Sequence, residues 1–150
     1  MGSTYTNLLI HIVFSTKRRI PYITGPRCAE VFAYLGGLVR ESGGIPLSIN
    51  GVQDHVHLLI RLPAKLCVAD AVRFLKSNSA LWIRRDAVLH PGFAWQEGYA
   101  AFSVSESAVS DVSRYILNQP AHHAKRSFQE ELVQLLKRNR IEYDERYIWS

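Results

Sequence analysis

The feature that most constrains the fold is a pair of apolar segments in the middle of the chain, "IPLSINGVQ" at 45–53 and "HVHLLIRL" at 55–62. Both have the length and the aliphatic, β-branched composition of strands. They surround a turn centred on Gly51, and so short a connection is typical of a β-hairpin. The segment therefore predicts two paired strands, and the other elements are placed on either side of them.

Apolar periodicity and capping signals predict the remaining elements. In chain order, the predicted elements are a strand at 5–15, a helix at 26–42, the hairpin strands at 45–53 and 55–62, a helix at 66–88, a strand at 93–105, a helix at 105–119 and a last helix at 127–138. This β-α-β-β-α-β order, followed by helices, predicts an α+β, ferredoxin-like antiparallel sheet with helices on one face. The other face is left for a ligand or for the trailing helices. Since no repeat or linker interrupts the pattern, residues 1–150 are expected to form one domain.

Composition narrows the function classes further. Apolar residues make up 47% of the chain and charged residues 21%, as in ordinary globular proteins. No apolar run has the length needed to cross a bilayer and no secretory signal is recognised, so a cytoplasmic location without membrane partners is expected. Cys28 and Cys67 belong to no CxxC pair, which favours reduced thiols over a disulfide. The net charge of +5 fits a nucleic-acid partner without proving one.

The histidines of the "HVH" segment are candidate metal ligands. Residues i and i+2 of a strand point to the same face, so His55 and His57 project side by side while Val56 and Leu58 face the core. Neighbouring imidazoles can hold one metal ion, or each can be satisfied by hydrogen bonds on a polar sheet face. Asp54 could orient a histidine or cap the hairpin turn. The residues alone leave these alternatives open.

A second candidate feature is "YILNQ", in which Tyr115 and Gln119 are spaced i, i+4 and share one helix face. A tyrosine often packs in a core and a glutamine is often solvated, so this pair is a weak motif by itself. Pro120 follows directly and should end or kink the helix. His122 and His123 could lie near the same site, whereas His11 is expected to be structural and His90 carries no argument.

Together these features resemble the HUH single-tyrosine transposases, the TnpA-type enzymes of small insertion sequences that move as single-stranded DNA; relatives that act on repeated palindromes are similar. The resemblance covers nearly the whole chain, through "HIVFSTKRR", "VQDHVHLLI", "FAWQEGYAAFSVS" and "YILNQ". It implies that His55, His57 and Gln119 hold Mg²⁺ or Mn²⁺ and that Tyr115 is the nucleophile. It also implies cutting and rejoining of single-stranded DNA through a 5′-phosphotyrosine, which needs no nucleotide cofactor.

The resemblance further implies DNA with hairpin ends as the substrate and a homodimer in which the tyrosine helix docks on the partner's histidines. The serine-rich "SVSESAVS" before that helix could serve as a movable arm. Phosphate contacts are expected from basic side chains, each of which could equally be a solvated surface charge. These basic residues are Lys17, Arg18 and Arg19, followed by Arg84 and Arg85. The aromatic residues Trp95, Tyr99 and Phe102 could stack on bases, although their apolar segment favours core positions.

Three other interpretations remain open. The chain could be a catalytically silent or domesticated DNA-hairpin-binding protein of the same fold. It could be a replication or conjugation relaxase of the HUH group, although those chains are generally larger. It could also be a small metal-dependent hydrolase that uses the histidine pair, and such an enzyme would not need Tyr115.

Overall fold

The computed structural model describes residues 2–85 and 91–148. Its centre is a four-stranded antiparallel sheet with the strand order β2-β3-β1-β4. The strands are β1 (Leu8–Ser15), β2 (Ile45–Val52), β3 (His55–Leu62) and β4 (Ala100–Val104). The helices are α1 (Cys28–Glu41), α2 (Val68–Arg85), α3 (Val109–Leu117), α4 (Gln119–His123) and α5 (Phe128–Arg138). The predicted α+β, ferredoxin-like architecture is confirmed.

The two faces of the sheet are covered by different helices. Alternate residues of β1 and β3, among them Ile12, Phe14 and Leu58, are fully buried in the larger core, to which α1 and α2 also contribute. The opposite face carries a smaller core that joins α5 to β1 and β4. This second core consists of Val13, Phe102, Phe128, Leu132, Leu135 and Leu136. The trailing helices therefore cover the face that the strand pattern left open, and His55 and His57 point toward it.

The hairpin is present, but Gly51 is not at the centre of its turn as predicted. Gly51 lies inside β2 opposite Val56, and the turn is formed by residues 53–54. A Cβ atom at position 51 would lie 2.3 Å from the carbonyl oxygen of His55. The glycine is therefore required by the close approach of the two strands immediately beside the first histidine.

The fourth strand is shorter than the predicted 93–105. Trp95 forms only an isolated bridge with Thr16, and the ladder between β1 and β4 covers residues 100–104. The intervening carbonyl groups bind a side chain instead of a neighbouring strand: the ammonium group of Lys76 donates to the carbonyl oxygens of Gln96 at 2.7 Å and Glu97 at 3.3 Å. Burial lowers the pKa of this lysine to about 8.

The predicted helix at 105–119 is divided into three pieces. A 3-10 turn covers Glu106–Ala108, α3 ends at Leu117, and α4 begins at Gln119. Asn118 leaves the helical conformation at φ −91° and ψ 12°, and Pro120 occupies the first turn of α4. Because proline lacks an N–H group, it is tolerated in a first turn but not in a helix interior. The effect expected of Pro120 is confirmed, and Gln119 belongs to a different helix from Tyr115.

The other boundaries differ by a few residues. The first strand begins at Leu8 rather than at residue 5. Helix α2 covers 68–85 of the predicted 66–88. Residues 86–88 and His90 lie outside the described part of the chain. Ser127 caps α5 as predicted, since its hydroxyl accepts from the backbone N–H of Glu130 at 3.2 Å. Within the described residues, no helix is both long and apolar enough to cross a membrane.

Candidate metal and tyrosine site

The two histidines of β3 are completely buried between the sheet and the trailing helices. Their Nε2 atoms converge on one carboxylate oxygen, Oε1 of Glu131, at 3.3 Å from His55 and 3.0 Å from His57. Side-by-side projection follows from the strand period, as predicted. The convergence of both Nε2 atoms on one point defines the centre of the site.

Each imidazole is held from behind through its other nitrogen. His55 Nδ1 donates to Oδ1 of Asp54 at 2.7 Å, so Asp54 makes the orienting contact anticipated for it. His57 Nδ1 lies 2.9 Å from Nε2 of His11, which is itself buried. Such outer hydrogen bonds fix the tautomer and the plane of a metal-binding histidine. His11, expected to be structural, is therefore also a direct partner of the site.

Tyr115 and Gln119 reach the same centre although a helix break separates them. The Tyr115 hydroxyl donates to Oε2 of Glu131. The Gln119 amide oxygen lies 3.1 Å from His55 Nε2, and its NH₂ group donates to Glu131 Oε2 at 2.9 Å. Asn50 of β2 donates to the carbonyl oxygen of Leu117 at 3.0 Å, which anchors the end of α3 beside the histidines.

Glu131 is the central residue that the sequence interpretation missed. It lies on α5, is 2% exposed, and also binds Nε2 of His123 at 3.0 Å. A signal for it exists in the sequence. Position 131 falls three residues after Phe128 and four before Leu135, on the apolar stripe of an amphipathic helix. A carboxylate on such a stripe is buried and must find partners, so its presence there indicates a functional or paired group.

The charges of the site follow from these contacts. Burial alone would raise the pKa of Glu131, but hydrogen bonds from His123, His55 and His57 hold it far below its usual range. Burial alone would lower the pKa of His55, but its bonds to Asp54 and Glu131 raise it to about 9. Burial lowers the pKa of His57. In the absence of an ion the centre therefore contains an ionised carboxylate, a protonated His55 and a neutral His57.

The Tyr115 hydroxyl is strongly biased toward its neutral form. Burial raises the pKa of Tyr115 well above its usual value, and the neighbouring Glu131 carboxylate raises it further. The hydrogen bond from Gln119 and the positive charge of Arg126 act in the opposite direction. An uncharged phenol needs added positive charge nearby before it can act as an oxygen nucleophile at neutral pH.

The donor set fits a divalent ion that accepts nitrogen and oxygen ligands. One ligand atom each from His55, His57 and Glu131 lie within 4.8 Å of one another, and the Gln119 amide oxygen adjoins them. Two imidazoles, a carboxylate and an amide are suitable for ions such as Mg²⁺ or Mn²⁺. An ion here would take the position of the proton that His55 now carries on Nε2.

The predicted phosphate-binding residues divide into two groups. Lys17, Arg18 and Arg19 form a 3-10 turn directly after β1, and Arg19 lines a groove next to the site. Arg84 and Arg85 end α2, which packs on the opposite face of the sheet. The structure thus brings Arg19 of the first group, but neither residue of the second, next to the site.

The aromatic candidates for base stacking are divided as well. Trp95 and Phe102 are buried core residues, while Tyr99 is 41% exposed. The two histidines after Pro120 both lie at the site, since His123 binds Glu131 and the ring of His122 is 5.0 Å from that of Tyr115.

Residues 4–119 match the protein-family model described as "Transposase IS200 like". The chain is 26% identical over 117 residues to the ISDra2 transposase TnpA of Deinococcus radiodurans, across 73% of this chain and 81% of that protein. It is 29% identical over 83 residues to the transposase for insertion sequence element IS200 of Salmonella typhimurium, across 55% of each chain.

Two solved structures of transposases have a similar fold. The chain superimposes on a candidate transposase of Deinococcus radiodurans R1 with a TM-score of 0.63 and 25% identity, covering 79% of this chain and 96% of that one. It also superimposes on a REP-associated tyrosine transposase bound to a REP hairpin, with a TM-score of 0.60 and 13% identity, covering 82% of this chain and 73% of that one. The second similarity concerns the fold alone. Glu131 lies beyond the residues matched by the family model.

Proposed function

Because the chain belongs to the IS200-like transposase family, we propose that it cuts and rejoins single-stranded DNA at hairpin-marked element ends with Tyr115 as the nucleophile. The observation that carries the proposal is the contact of the Tyr115 hydroxyl with a buried cluster of nitrogen and oxygen donors. A structural tyrosine would need one hydrogen-bond partner, but not two convergent imidazoles beside it.

The substrate class is supported by charge and by a relative. The chain carries a net charge of +5, which favours a polyanion. A structure of the same fold is a REP-associated tyrosine transposase bound to a REP hairpin. We therefore propose hairpin-bearing DNA as the ligand, with a single-stranded segment at the tyrosine. We also propose a cytoplasmic location.

The proposed metal ligands are His55, His57 and Gln119, joined by Glu131 from α5. When bound, Mg²⁺ or Mn²⁺ supplies a Lewis acid that neutralises charge developing on the phosphate oxygens. Asp54 and His11 keep the two imidazole planes fixed, with Nε2 of each ring directed to the common centre. This preorganisation avoids rearranging the ligands during the reaction.

In the proposed cleavage step the Tyr115 oxygen forms a bond to phosphorus while the bond from phosphorus to the 3′ oxygen breaks. The products are a 5′-phosphotyrosine and a free 3′-hydroxyl. The Tyr115 hydroxyl donates to Glu131 Oε2, which orients its oxygen. Its proton passes to water as the bond to phosphorus forms, and the departing 3′ oxygen takes up a proton from water. In the rejoining step a 3′-hydroxyl attacks the phosphotyrosine and restores the tyrosine, so the energy of the broken bond is conserved.

We also propose a homodimer, as in the enzymes that the sequence resembles. Within one chain Tyr115 contacts Glu131, and exchange of α3 would replace this contact by the same contact between two chains. Sedimentation equilibrium with and without hairpin DNA measures the oligomeric state. A monomer that still forms the covalent adduct would contradict the need for a dimer.

One observation favours the alternative of a hairpin-binding protein that does not cut DNA. His55, His57 and Gln119 are all 0% exposed, so the site as it stands is closed. Both functions predict hairpin binding, and only the transposase predicts a covalent product.

The test incubates oligonucleotides tiling both strands of the DNA that flanks this gene with protein and Mn²⁺ or Mg²⁺. A denaturing gel then detects any protein–DNA adduct. The proposal expects an adduct from one strand that disappears in Tyr115→Phe and persists in the matched control Tyr99→Phe. Hairpin binding without an adduct under either ion would support the binding protein. Cleavage that survives Tyr115→Phe would indicate a metal-dependent hydrolase.

A further inference from the structure

A groove of about 750 Å³ opens beside the buried site. Its walls come from the connection between β1 and α1, the turn of the hairpin, and the segment that joins α4 to α5. Three of its lining residues contact the site directly. Asp54 binds His55, His123 binds Glu131, and the ring of Phe128 lies 4.5 Å from that of His55. The groove therefore adjoins the candidate catalytic centre.

The polar lining of the groove is suited to an anion. Arg19 and Arg126 stand on its walls, and Asp54 is the sole carboxylate among the described lining residues. That carboxylate is bonded to His55. Both arginines are oriented by neutral amides of α5. With its oxygen toward Arg19, the Gln129 amide accepts from Nε at 2.7 Å and Nη2 at 3.2 Å, and Arg126 donates to Gln134. Amide partners hold a guanidinium in place without adding negative charge.

The backbone at the basic turn supports a functional role for its side chains. Arg18 and Arg19 have φ values of 56° and 55°, in the left-handed region where glycine is the least strained residue. Strained residues of this kind cluster at functional sites and ligand clamps, and Arg19 also lines the groove.

Arg126 lies in the segment that joins α4 to α5, seven residues after Gln119, and lines the groove. A guanidinium on this wall can contact a phosphate group held in the groove. The side chains of Pro21 and Phe32 add apolar lining suited to a sugar or a base.

We propose that this groove binds the single-stranded DNA segment next to the scissile phosphate, with Arg19 and Arg126 contacting its phosphates. The inference rests on the proposed function and adds to it the path of the strand. Arg126 was not among the phosphate-binding residues predicted from the sequence, whereas Arg19 was.

Cys28 provides a reporter, because it lines the groove and is one of two cysteines in the chain, both free. In a Cys67→Ser, Tyr115→Phe background, iodoacetamide modifies Cys28 without any cutting of the DNA. The proposal expects a hairpin carrying the single-stranded flank to slow this modification at least fivefold relative to the bare hairpin. The reverse variant, Cys28→Ser, leaves Cys67, whose modification rate should not change.

A second measurement uses fluorescence anisotropy of the same two DNAs with Arg19→Gln and Arg126→Gln. Each variant should leave affinity for the bare hairpin unchanged and reduce the gain in affinity provided by the flank. The slope of log K against log salt should fall by about 0.7 for each lost phosphate contact to a single strand. Arg126→Lys should retain the slope. The matched control Arg73→Gln removes a charge paired with Asp70 on α2 and should behave as wild type.

The outcomes separate this inference from the proposed function. Equal modification of Cys28 on both DNAs, with unchanged salt slopes, overturns the groove assignment even if Tyr115 forms its adduct. Equal protection by a double-stranded flank overturns the assignment to a single strand. Protection by the single-stranded flank without an adduct on any DNA supports the groove and overturns the phosphotyrosine step.

Discussion

Metal affinity at the histidine site should rise steeply with pH, because His55 must lose a proton before its Nε2 atom can bind an ion. Hydrogen bonds to Asp54 and Glu131 raise the pKa of His55 to about 9. Because pH 7 lies two units below this pKa, removing the proton costs ~2.7 kcal/mol. That cost lowers the metal affinity at pH 7 about 100-fold. His57 adds no such penalty, since burial lowers its pKa. We expect about a tenfold gain in affinity per pH unit from 7 to 9 and a plateau above.

The assay titrates the protein with Mn²⁺ under nitrogen at pH 7, 8 and 9 and follows the electron paramagnetic resonance signal of the free ion. Calorimetry at pH 7 in two buffers of different ionisation enthalpy should show about one proton released per ion bound. Asp54→Asn should flatten the pH profile, because an uncharged amide oxygen then replaces the carboxylate that accepts from His55 Nδ1. Affinity that varies less than threefold between pH 7 and 9, without proton release, would contradict a protonated His55 in the metal-free protein.

Three further predictions follow from the same contacts. Glu131→Gln should weaken Mn²⁺ binding by more than about tenfold in calorimetry, whereas Glu130→Gln, on the exposed side of α5, should not. The raised pKa of His55 stabilises the metal-free fold fully below pH 6.5, and urea unfolding should show ~3 kcal/mol lost as pH rises through about 9. Leu132→Ala in the second core should lower the free energy of unfolding by about 2–5 kcal/mol. Leu117→Ala, at an exposed position, should change it by no more than about 0.5 kcal/mol. Three results would contradict these expectations: unchanged Mn²⁺ affinity in Glu131→Gln, a free energy of unfolding that does not vary with pH, and unchanged stability in Leu132→Ala.

The histidine pair could be predicted from the sequence because the strand period alone determines that His55 and His57 share a face. The order of elements likewise restricted the sheet to few topologies. The position of Gly51 could not be predicted from the local sequence. A glycine is equally typical of a turn and of a strand position that lies against a carbonyl group of the neighbouring strand. The short fourth strand could not be predicted either. After the isolated bridge at Trp95, the carbonyl groups of the following loop accept hydrogen bonds from Lys76, a side chain of α2.

The tyrosine helix shows how a pattern can be partly right. The i, i+4 spacing predicted one helix face for Tyr115 and Gln119, but Asn118 separates them into two helices. Both side chains still reach the site, because Asn50 holds the end of α3 against β2. The apolar stripe of α5 marks Glu131 as a buried carboxylate, but its partners depend on how α5 docks through its leucines on the sheet. That docking is a long-range packing result that no local pattern contains.

The proposed function requires that Tyr115 become covalently attached to a 5′-phosphate of DNA. The most direct measurement treats the purified adduct with nuclease and trypsin and identifies the modified peptide by mass spectrometry. Trypsin cuts after Arg114 and Lys125, so the proposed mechanism predicts a nucleotide 5′-phosphate on the peptide 115–125, "YILNQPAHHAK", whose one tyrosine is Tyr115. Attachment to any other peptide, or through a 3′-phosphate, would contradict it.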